Sequence, residues 1–345
     1  MIKVGIINVT GYAGVELARL LSRHPDVKLS SVTGRSAAGQ RLSQVFPHLV
    51  QYDLPITEEI EGSVDLVFSA LEHKVSAARC LPFLEKGVAV IDLSADFRLK
   101  DVNEYQEWYK VEHPDPKRLG EAVYGLCELH HDELKKARLV ANPGCYPTGA
   151  TLALAPAVKH GLITNDIIVD SKSGVSGAGR GLSLNTHYSE VNESVRAYYL
   201  EGHRHYPEIT QELQLLSTNG KLKITFLPHL IPMTRGILSS CYAPLSAAGL
   251  SIAKAGRGEL VELYKDFYRD SPFVHIADEP PATKHTLGNN NCVIYPTLDK
   301  RTDRLVVVSA IDNLVKGAAG AAVQNMNLMM GFKETSGLEQ IALYP

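Results

Sequence analysis

The chain has 345 residues, of which 45% are hydrophobic and 21% charged, and its formal net charge is -3. This composition is typical of soluble globular proteins and excludes the disordered and fibrous classes, while the length favours two domains. The charge indicates no nucleic-acid partner, and no apolar run reaches the roughly 18 residues that a membrane span needs. The first ten residues lack the sections of a signal peptide. We therefore expect a cytoplasmic protein with neither a nucleic-acid nor a membrane partner.

The first 144 residues alternate apolar strands with helical segments. Strands are predicted at residues 2–9, 27–32, 65–71, 88–93 and 137–141. Alternating strands and helices are typical of a parallel sheet covered by helices. We predict an α/β fold whose first domain, residues 1–144, contains a Rossmann-type parallel sheet.

The pattern changes after residue 144. A helix is predicted from residue 146 to 158, followed by strands at residues 167–170, 222–226, 237–243, 292–295 and 305–310 with long loops between them. This pattern favours a mainly antiparallel sheet in a second, α+β domain, residues 145–312. Residues 313–330 are predicted to form one long helix, and we expect residues 313–345 to return to the first domain.

A glycine turn follows the first strand. Gly11, Tyr12 and Gly14 lie where a helix begins, which lets backbone amides approach a pyrophosphate. Asn8 stands where a full G-x-x-G-x-x-G pattern would have another glycine. The turn predicts dinucleotide binding, with a merely structural tight turn as the alternative.

The residues after the second strand indicate which dinucleotide binds. An NAD enzyme usually has an acidic residue here for the ribose 2'-hydroxyl, but the chain has Arg35 and Ser36. A guanidinium and a hydroxyl suit a 2'-phosphate, so we predict NADP(H) as the cofactor. A solvated surface arginine is the alternative.

One cysteine differs from the other four. Cys80, Cys241 and Cys292 lie in apolar surroundings and are expected to be small buried side chains. Cys145 instead follows Asn142-Pro143-Gly144, between a predicted strand and a predicted helix N-terminus. Free amides and the helix dipole stabilise a thiolate at such a position, so we predict that Cys145 is a nucleophile.

Five segments of the chain carry a resemblance to a known family. They are ANPGCYPT at 141–148, IDLSADFR at 91–98, GHRH at 202–205, PHLIPMTRG at 228–236 and DNLVKGAAG at 312–320. In this order they resemble the N-acetyl-gamma-glutamyl-phosphate reductases, a branch of the superfamily of aspartate-semialdehyde and glyceraldehyde-3-phosphate dehydrogenases. The resemblance covers nearly the whole chain and implies an NADP-binding domain at residues 1–144 and a catalytic and oligomerisation domain at residues 145–312. Asn8, Glu72 and Cys127 depart from the family pattern, and Cys127 adds a second thiol that could lie near the site.

The resemblance assigns the proton-transfer role to His203, which follows Arg196 by seven residues. His205 is the rival for this role and otherwise a substrate-binding candidate. The two histidines could instead lie on one face of a strand as metal ligands. No cysteine or carboxylate pattern completes a zinc site, and we predict no metal.

Further contacts follow from the same resemblance. Arg98 is implied to bind the substrate phosphate, with a surface salt bridge as the alternative, while Asn142, Ser173 and Arg196 complete the substrate side. Ser176 and Gly177 are expected to line the nicotinamide, although their loop could simply be a long turn. Asn313 is implied to hold the nicotinamide, with a helix N-cap as the alternative.

The implied reaction is the NADPH-dependent reduction of N-acetyl-gamma-glutamyl phosphate to N-acetylglutamate 5-semialdehyde and phosphate, through a thioester on Cys145, in arginine biosynthesis. The resemblance therefore implies that the partner is a small-molecule acyl phosphate and that the assembly is a homodimer or a homotetramer. One alternative is a reductase of carrier-protein-linked aminoadipyl or glutamyl phosphate in lysine or ornithine biosynthesis. Another is a non-catalytic, nucleotide-binding redox sensor.

Overall fold

A computed structural model describes all 345 residues, and the chain divides into two compact units. The first unit contains Met1–Gly144 and Ala318–Gln340, and the second contains Cys145–Gly317 and Ile341–Pro345. No helix is both long and apolar enough to cross a membrane.

The first unit is built on a seven-stranded sheet in which every pairing is parallel. Its strands are β1 (Ile2–Ile7), β2 (Val27–Thr33), β3 (Ile56–Thr57), β4 (Leu66–Ser69), β5 (Ala89–Asp92), β6 (Val123–Tyr124) and β7 (Leu139–Ala141). The order β3-β2-β1-β4-β5-β7-β6 reverses direction between β1 and β4. Ligands of open parallel sheets bind at such a switch point, outside the carboxyl ends of the strands. The predicted Rossmann-type parallel sheet is confirmed.

Helices separate these strands. They are α1 (Tyr12–Leu21), α2 (Leu42–Val45), α3 (Ser76–Glu85), α4 (Val102–Tyr109), α5 (Pro116–Glu121) and α6 (Cys127–Leu134). The core strands are continuous apolar runs, and all four residues of both β4 and β5 are buried. Such runs are expected where helices cover both faces of a parallel sheet.

The second unit carries a seven-stranded mixed sheet of order β12-β13-β14-β11-β8-β10-β9. Its strands are β8 (Asp166–Gly174), β9 (Arg196–Ala197), β10 (Lys223–Ile231), β11 (Ile237–Pro244), β12 (Val274–Ile276), β13 (Cys292–Asp299) and β14 (Arg304–Ile311). The prediction of a mainly antiparallel sheet is only partly right, because β8 pairs with β10 in parallel, as does β12 with β13. The long connection between β8 and β10 includes a helix, which allows a parallel crossover.

The helices of the second unit are α7 (Cys145–Lys159), α8 (Tyr188–Val191), α9 (Tyr206–Leu216), α10 (Ala247–Ala255) and α11 (Arg257–Phe267). Helix α7 packs against β11 and β14, and thirteen of its fifteen residues are buried. Burial alternates along β11, so one face of the sheet packs on helices and the other is partly exposed. The long α7 thus fixes its first residue, Cys145, against the core.

The prediction of one regular helix over residues 313–330 is wrong in its first part. Val315–Ala319 form a π-helical turn, and the α-helix, α12, spans Gly320–Met330. The Asp312 carboxylate accepts hydrogen bonds from the amides of Leu314 and Val315 and caps this turn. A π-turn widens the backbone locally, and such turns are frequent at functional sites.

The structural cysteines behave as predicted. Cys80, Cys241 and Cys292 are fully buried, and none of the five cysteines forms a disulfide. Cys127 is also buried, whereas Cys145 is partly exposed. Cys145 is therefore the most accessible thiol of the chain.

Candidate active site

Asn8 holds together the strand ends at the switch point of the first unit. Its backbone has φ of 65°, in the left-handed region that asparagine tolerates better than most residues. Its amide nitrogen bonds to Thr33 Oγ1 at the end of β2, and its Nδ2 donates to the Ala70 carbonyl after β4, at 2.9 Å. Its Oδ1 accepts a hydrogen bond from the Thr10 hydroxyl. Asn8 can therefore replace the glycine of the usual pattern and adds contacts that glycine would lack.

Gly14 brings the first turn of α1 close to β1. A Cβ at this position would lie 2.3 Å from the Asn8 carbonyl oxygen and 2.7 Å from Val9 Cα. No side chain caps α1, whose first turn also lacks an acidic residue. The free amides of this helix start, near Gly11 and Tyr12, form a site that suits a pyrophosphate.

A cavity of about 330 Å³ opens beside this turn. Its lining includes Asn8, Thr10 and Gly34 together with Arg35 and Ser36. Arg35 and Ser36 begin a short 3-10 helix directly after β2, and both side chains are exposed. The two residues predicted to select NADP(H) thus belong to the same cavity as the glycine turn.

The loop after β5 is tied to the start of α3 by two buried carboxylates. Asp92 accepts hydrogen bonds from the hydroxyls of Ser76 and Ser94, at 2.5 and 2.6 Å. Burial raises the pKa of Asp92 to about 6, although these hydrogen bonds oppose the shift. Asp96 accepts from the amides of Lys74 and Ala77. This network fixes the loop that carries Arg98.

Arg98 is only 7% exposed. Its Nε donates to the Asn142 carbonyl and its Nη2 to the Leu93 carbonyl, both at 2.8 Å. The guanidinium is thus held rigidly beside the segment that precedes Cys145 in the sequence. Rigid placement favours recognition of an anion, because little side-chain entropy remains to be lost.

The side chain of Asn142 does not fit the predicted role in substrate binding. Asn142 is fully buried, its Nδ2 donates to the Ala318 carbonyl, and its Oδ1 accepts from Asn325 Nδ2. The Cys127 thiol donates to Asn325 Oδ1 at 3.1 Å. Asn142 therefore supports the backbone, and Cys127 belongs to the same buried network.

Cys145 is the first residue of α7, as predicted. Gly317, in the π-helical turn, lies against it: a Cβ on Gly317 would be 2.8 Å from Cys145 Cβ and 3.2 Å from Cys145 Cα. The thiol lies at the positive end of a fifteen-residue helix, where a thiolate is electrostatically favoured.

Aromatic rings enclose His203. Its ring centroid lies 5.4 Å from that of Phe226, 5.6 Å from that of Tyr198 and 5.7 Å from those of Tyr146 and Tyr199. This enclosure removes the imidazole from water, and burial lowers the pKa of His203 to about 4. The positive charge of neighbouring Arg204 lowers it further in the same direction. His203 is therefore neutral at physiological pH.

The hydrogen bond at Nδ1 determines the tautomer of His203. The His205 amide donates to His203 Nδ1 at 3.0 Å, so the neutral ring carries its proton on Nε2. The alternative in which both histidines lie on one face of a strand is wrong, since they lie in the loop directly before α9. The loop arises because Gly202, with φ of 149°, and the following helix start redirect the chain.

Tyr146 joins the histidines to the start of α7. Its ring contacts both His203 and His205, and its hydroxyl bonds to the Tyr198 hydroxyl at 2.9 Å. Burial raises the pKa of both tyrosines, and the charge of Cys145 acts in the same direction on each. Cys145, Tyr146, Tyr198 and His203 are thus brought together, and the Ser173 side chain also bonds to Tyr146.

The residues predicted for the nicotinamide also cluster. Asn313 Nδ2 donates to Ser176 Oγ at 2.9 Å, and Asn313 Oδ1 accepts from the Gly236 amide at 2.7 Å. A Cβ on Gly177 would lie 3.1 Å from Ser173 Oγ. This loop is therefore packed tightly and held in place by the Asn313 amide.

Arg196 lies on the short edge strand β9, where its exposed side chain donates to Asn185 Oδ1 at 2.7 Å. The structure contains no group of three or more histidine, cysteine or acidic side chains arranged to hold a metal.

Sequence reasoning missed several members of these clusters. Tyr198 and Phe226 enclose His203 from outside its motif, and Gly317 acts through its lack of a side chain. Two sequence signals were available: Tyr198 lies shortly before Gly202-His203, and Gly317 lies within the segment 312–320. The contacts of Phe226 and Gly317 depend on tertiary structure.

Two known protein families match consecutive parts of the chain. Residues 3–137 match the family described as semialdehyde dehydrogenase, NAD binding domain, and residues 145–313 match semialdehyde dehydrogenase, dimerisation domain. The chain is 56% identical over 343 residues to an N-acetyl-gamma-glutamyl-phosphate reductase of Dehalococcoides mccartyi, covering 99% of both chains.

Solved structures share the fold at much lower identity. Aspartate semialdehyde dehydrogenase II from Vibrio cholerae has a TM-score of 0.71 at 15% identity, over 96% of this chain and 98% of that chain. Aspartate semialdehyde dehydrogenase with NADP from Candida albicans has a TM-score of 0.67 at 17% identity, over the same shares. These similarities concern the fold alone.

Proposed function

Since the chain belongs to the N-acetyl-gamma-glutamyl-phosphate reductase family of semialdehyde dehydrogenases, we propose that it reduces N-acetyl-gamma-glutamyl phosphate with NADPH, in arginine biosynthesis. The products are N-acetylglutamate 5-semialdehyde and phosphate. The observation that carries this proposal is the position of Cys145, at the start of a long buried helix and beside the aromatic cluster around His203. The confirmed fold and the high identity to a reductase support the same reaction.

Cys145 acts as the nucleophile. Its thiolate attacks the γ-acyl carbon, the bond to the phosphate oxygen breaks, and phosphate leaves with the electron pair. A thioester remains on Cys145, and its carbonyl accepts hydride more readily than a carboxylate would. The helix N-terminus favours the thiolate both before the attack and when the aldehyde is released.

His203 acts on the carbonyl oxygen. With Nδ1 occupied by the His205 amide, the neutral ring presents the Nε2 proton as a hydrogen-bond donor. A neutral imidazole can polarise a carbonyl and stabilise the oxyanion that develops. Removal of the ring from water strengthens this interaction.

Residues of the first unit fit a bound NADPH. The uncapped start of α1 suits the pyrophosphate, and the cavity beside it contains Arg35 and Ser36 for the 2'-phosphate. When bound, NADPH supplies the hydride. We assign the nicotinamide end separately to Ser176, Gly177 and Asn313, which belong to the second unit.

The anionic substrate requires cationic side chains. We assign the phosphate to the buried Arg98 and a carboxylate to the exposed Arg196, with Ser173 and His205 as further polar contacts. Arginine binds both groups through paired hydrogen bonds.

The open face of the second sheet suits a homodimer, or a homotetramer built from such dimers. Partly exposed apolar side chains share this face: Ile168, Leu227, Leu238, Tyr242, Val306 and Val308. Burial of such a face supplies the hydrophobic core of a stable interface. We place the assembled enzyme in the cytoplasm.

A spectrophotometric assay in the oxidative direction tests the proposal. N-acetylglutamate semialdehyde, NADP and inorganic phosphate should give phosphate-dependent NADPH formation, and aspartate semialdehyde should give far less. Equal rates with both aldehydes would contradict the substrate, and a rate independent of phosphate would contradict the acyl-phosphate chemistry.

A further inference from the structure

A second arginine lines the cavity that contains Arg35 and Ser36. Arg79 is the fourth residue of α3 and reaches this cavity from the side of β4, whereas Arg35 follows β2. Neither the glycine turn nor the residues after β2 point to Arg79. Arg79 is identified only from the structure, in which residues after β2 and residues after β4 line the same cavity.

Glu59 interacts with both arginines. The Arg79 Nη2 lies 2.6 Å from each carboxylate oxygen of Glu59. The hydrogen bond from Arg79 holds the pKa of Glu59 below its usual value, and the charge of Arg35 contributes to the same shift. The Glu59 carboxylate thus occupies a position that is favourable for an anion.

We propose that Arg79 is a second specificity-determining residue for the 2'-phosphate of the cofactor, and that Glu59 holds Arg79 until the phosphate replaces its carboxylate. This inference rests on the proposed use of NADPH. Phosphate is the stronger partner, because it carries more charge than a carboxylate and offers three acceptor oxygens to a guanidinium.

The ion pair between Arg79 and Glu59 is exposed, so breaking it requires little free energy. The Arg79 side chain is 32% exposed and that of Glu59 is 66% exposed. Exposed ion pairs contribute little to stability, so Arg79 can leave Glu59 without destabilising the first unit. A Glu59 carboxylate that stayed on Arg79 would repel the phosphate, so Glu59 must release Arg79 when the phosphate binds.

The test measures binding of adenosine 2',5'-bisphosphate and of AMP to the full-length protein by calorimetry. These probes share the adenosine and the 5'-phosphate and differ in the 2'-phosphate. The variants are Arg79→Ala, Arg79→Gln, Glu59→Gln and Arg35→Ala. Arg118→Ala is the matched control, because Arg118 forms an exposed ion pair with Glu121 and does not line the cavity.

Both Arg79 variants should bind the bisphosphate about tenfold or more weakly, the effect of losing one charge-assisted contact. Their affinity for AMP should match that of the control. Glu59→Gln should bind the bisphosphate about threefold more tightly, since an exposed competing pair has been removed. Thermal unfolding of each variant checks that the fold is retained.

Three results would contradict the NADP specificity, the role of Arg79 and the exchange at Glu59, respectively. If the wild type binds both probes equally, the proposed NADP specificity fails. If Arg35→Ala weakens the bisphosphate but both Arg79 variants match Arg118→Ala, only the role of Arg79 is overturned. If Glu59→Gln weakens the bisphosphate, Glu59 supports the site and the exchange is wrong.

Discussion

Gly317 and Cys145 are in direct contact, and the contact leaves no room for a side chain on Gly317. A Cβ there would lie 2.8 Å from the Cβ of Cys145. The π-helical turn that carries Gly317 is capped by the buried Asp312, which also accepts a hydrogen bond from the Gly288 amide at 2.8 Å. The position of the nucleophile is therefore set by a turn that lies far away in sequence.

Gly317→Ala should lower kcat by about tenfold to a hundredfold, because a displacement of about 1 Å in a reacting group costs on this order. It should also destabilise the protein by about 1 to 3 kcal/mol through overpacking. Gly258→Ala is the control, since a Cβ at Gly258 meets no atom within 4 Å. Steady-state kinetics and thermal unfolding check both effects. Normal turnover by Gly317→Ala would show that the contact does not position Cys145.

Cys145→Ser should reduce turnover by at least a hundredfold, because a serine hydroxyl at this position is a much weaker nucleophile than a thiolate. NADPH binding should be unchanged. Cys127→Ser is the comparison, since the Cys127 thiol bonds to Asn325 within a buried network. Residual activity of a tenth or more in Cys145→Ser would assign the nucleophile elsewhere.

Asn8→Gly should retain more stability and NADPH affinity than Asn8→Ala. Both variants lose the hydrogen bonds to Thr10 and Ala70, but only alanine is strained at φ of 65°. The strain should cost about 1 kcal/mol. Melting temperatures and NADPH dissociation constants distinguish the two. Equal melting temperatures would indicate that the turn relaxes out of the left-handed region.

His203→Asn should slow the chemical step by about a hundredfold, the scale of proton-transfer catalysis. His205→Asn should have a smaller effect, because the His203 ring accepts the backbone amide of His205 and not its side chain. Stopped-flow measurement of NADPH oxidation separates the chemical step from product release. A larger loss in His205→Asn would transfer the role to His205.

The pKa of His203 also predicts how stability depends on pH. In the folded protein it is about 4, against 6.5 for an ordinary histidine, so between these values the unfolded chain binds more protons. Stability from this group is complete above pH 6.5 and is lost as the pH falls towards 4, by at most about 1.4 kcal/mol per pH unit.

The melting temperature of His203→Asn should therefore fall less than that of the wild type between pH 6.5 and 4.5. His275→Asn, at an exposed position, serves as the control and should follow the wild type. Parallel curves for wild type and His203→Asn would contradict the low pKa.

Local sequence patterns predicted those elements that are specified by residues close together in the sequence. The parallel sheet of the first unit follows from continuous apolar strands between helices, and Cys145 follows from the Asn-Pro-Gly turn before a helix. The parallel pairing of β8 with β10 could not be predicted, because it depends on where a long connection returns the chain. Strand β8 also extends to Gly174, beyond the predicted residue 170, because its residues up to Gly174 pair with β10.

The candidate site was predictable to the same extent. The segment GHRH predicted a role for His203, but the enclosure of its ring by Phe226 and Tyr199 is seen only in the folded chain. The side chain of Asn142 was assigned to substrate because its motif surrounds the nucleophile. Its burial and its bonds to Ala318 and Asn325 show that a motif residue can instead support the backbone.

The most direct test of the thioester on Cys145 is a single-turnover experiment without phosphate. Enzyme mixed with N-acetylglutamate semialdehyde and NADP should release NADPH in a burst that equals the number of active sites. Turnover should then stop, because water attacks a thioester slowly, and added phosphate should restart it. Intact-protein mass spectrometry should locate the acyl group on Cys145 after the burst. Steady NADPH formation without phosphate, or a burst without an acyl group on Cys145, would contradict the account.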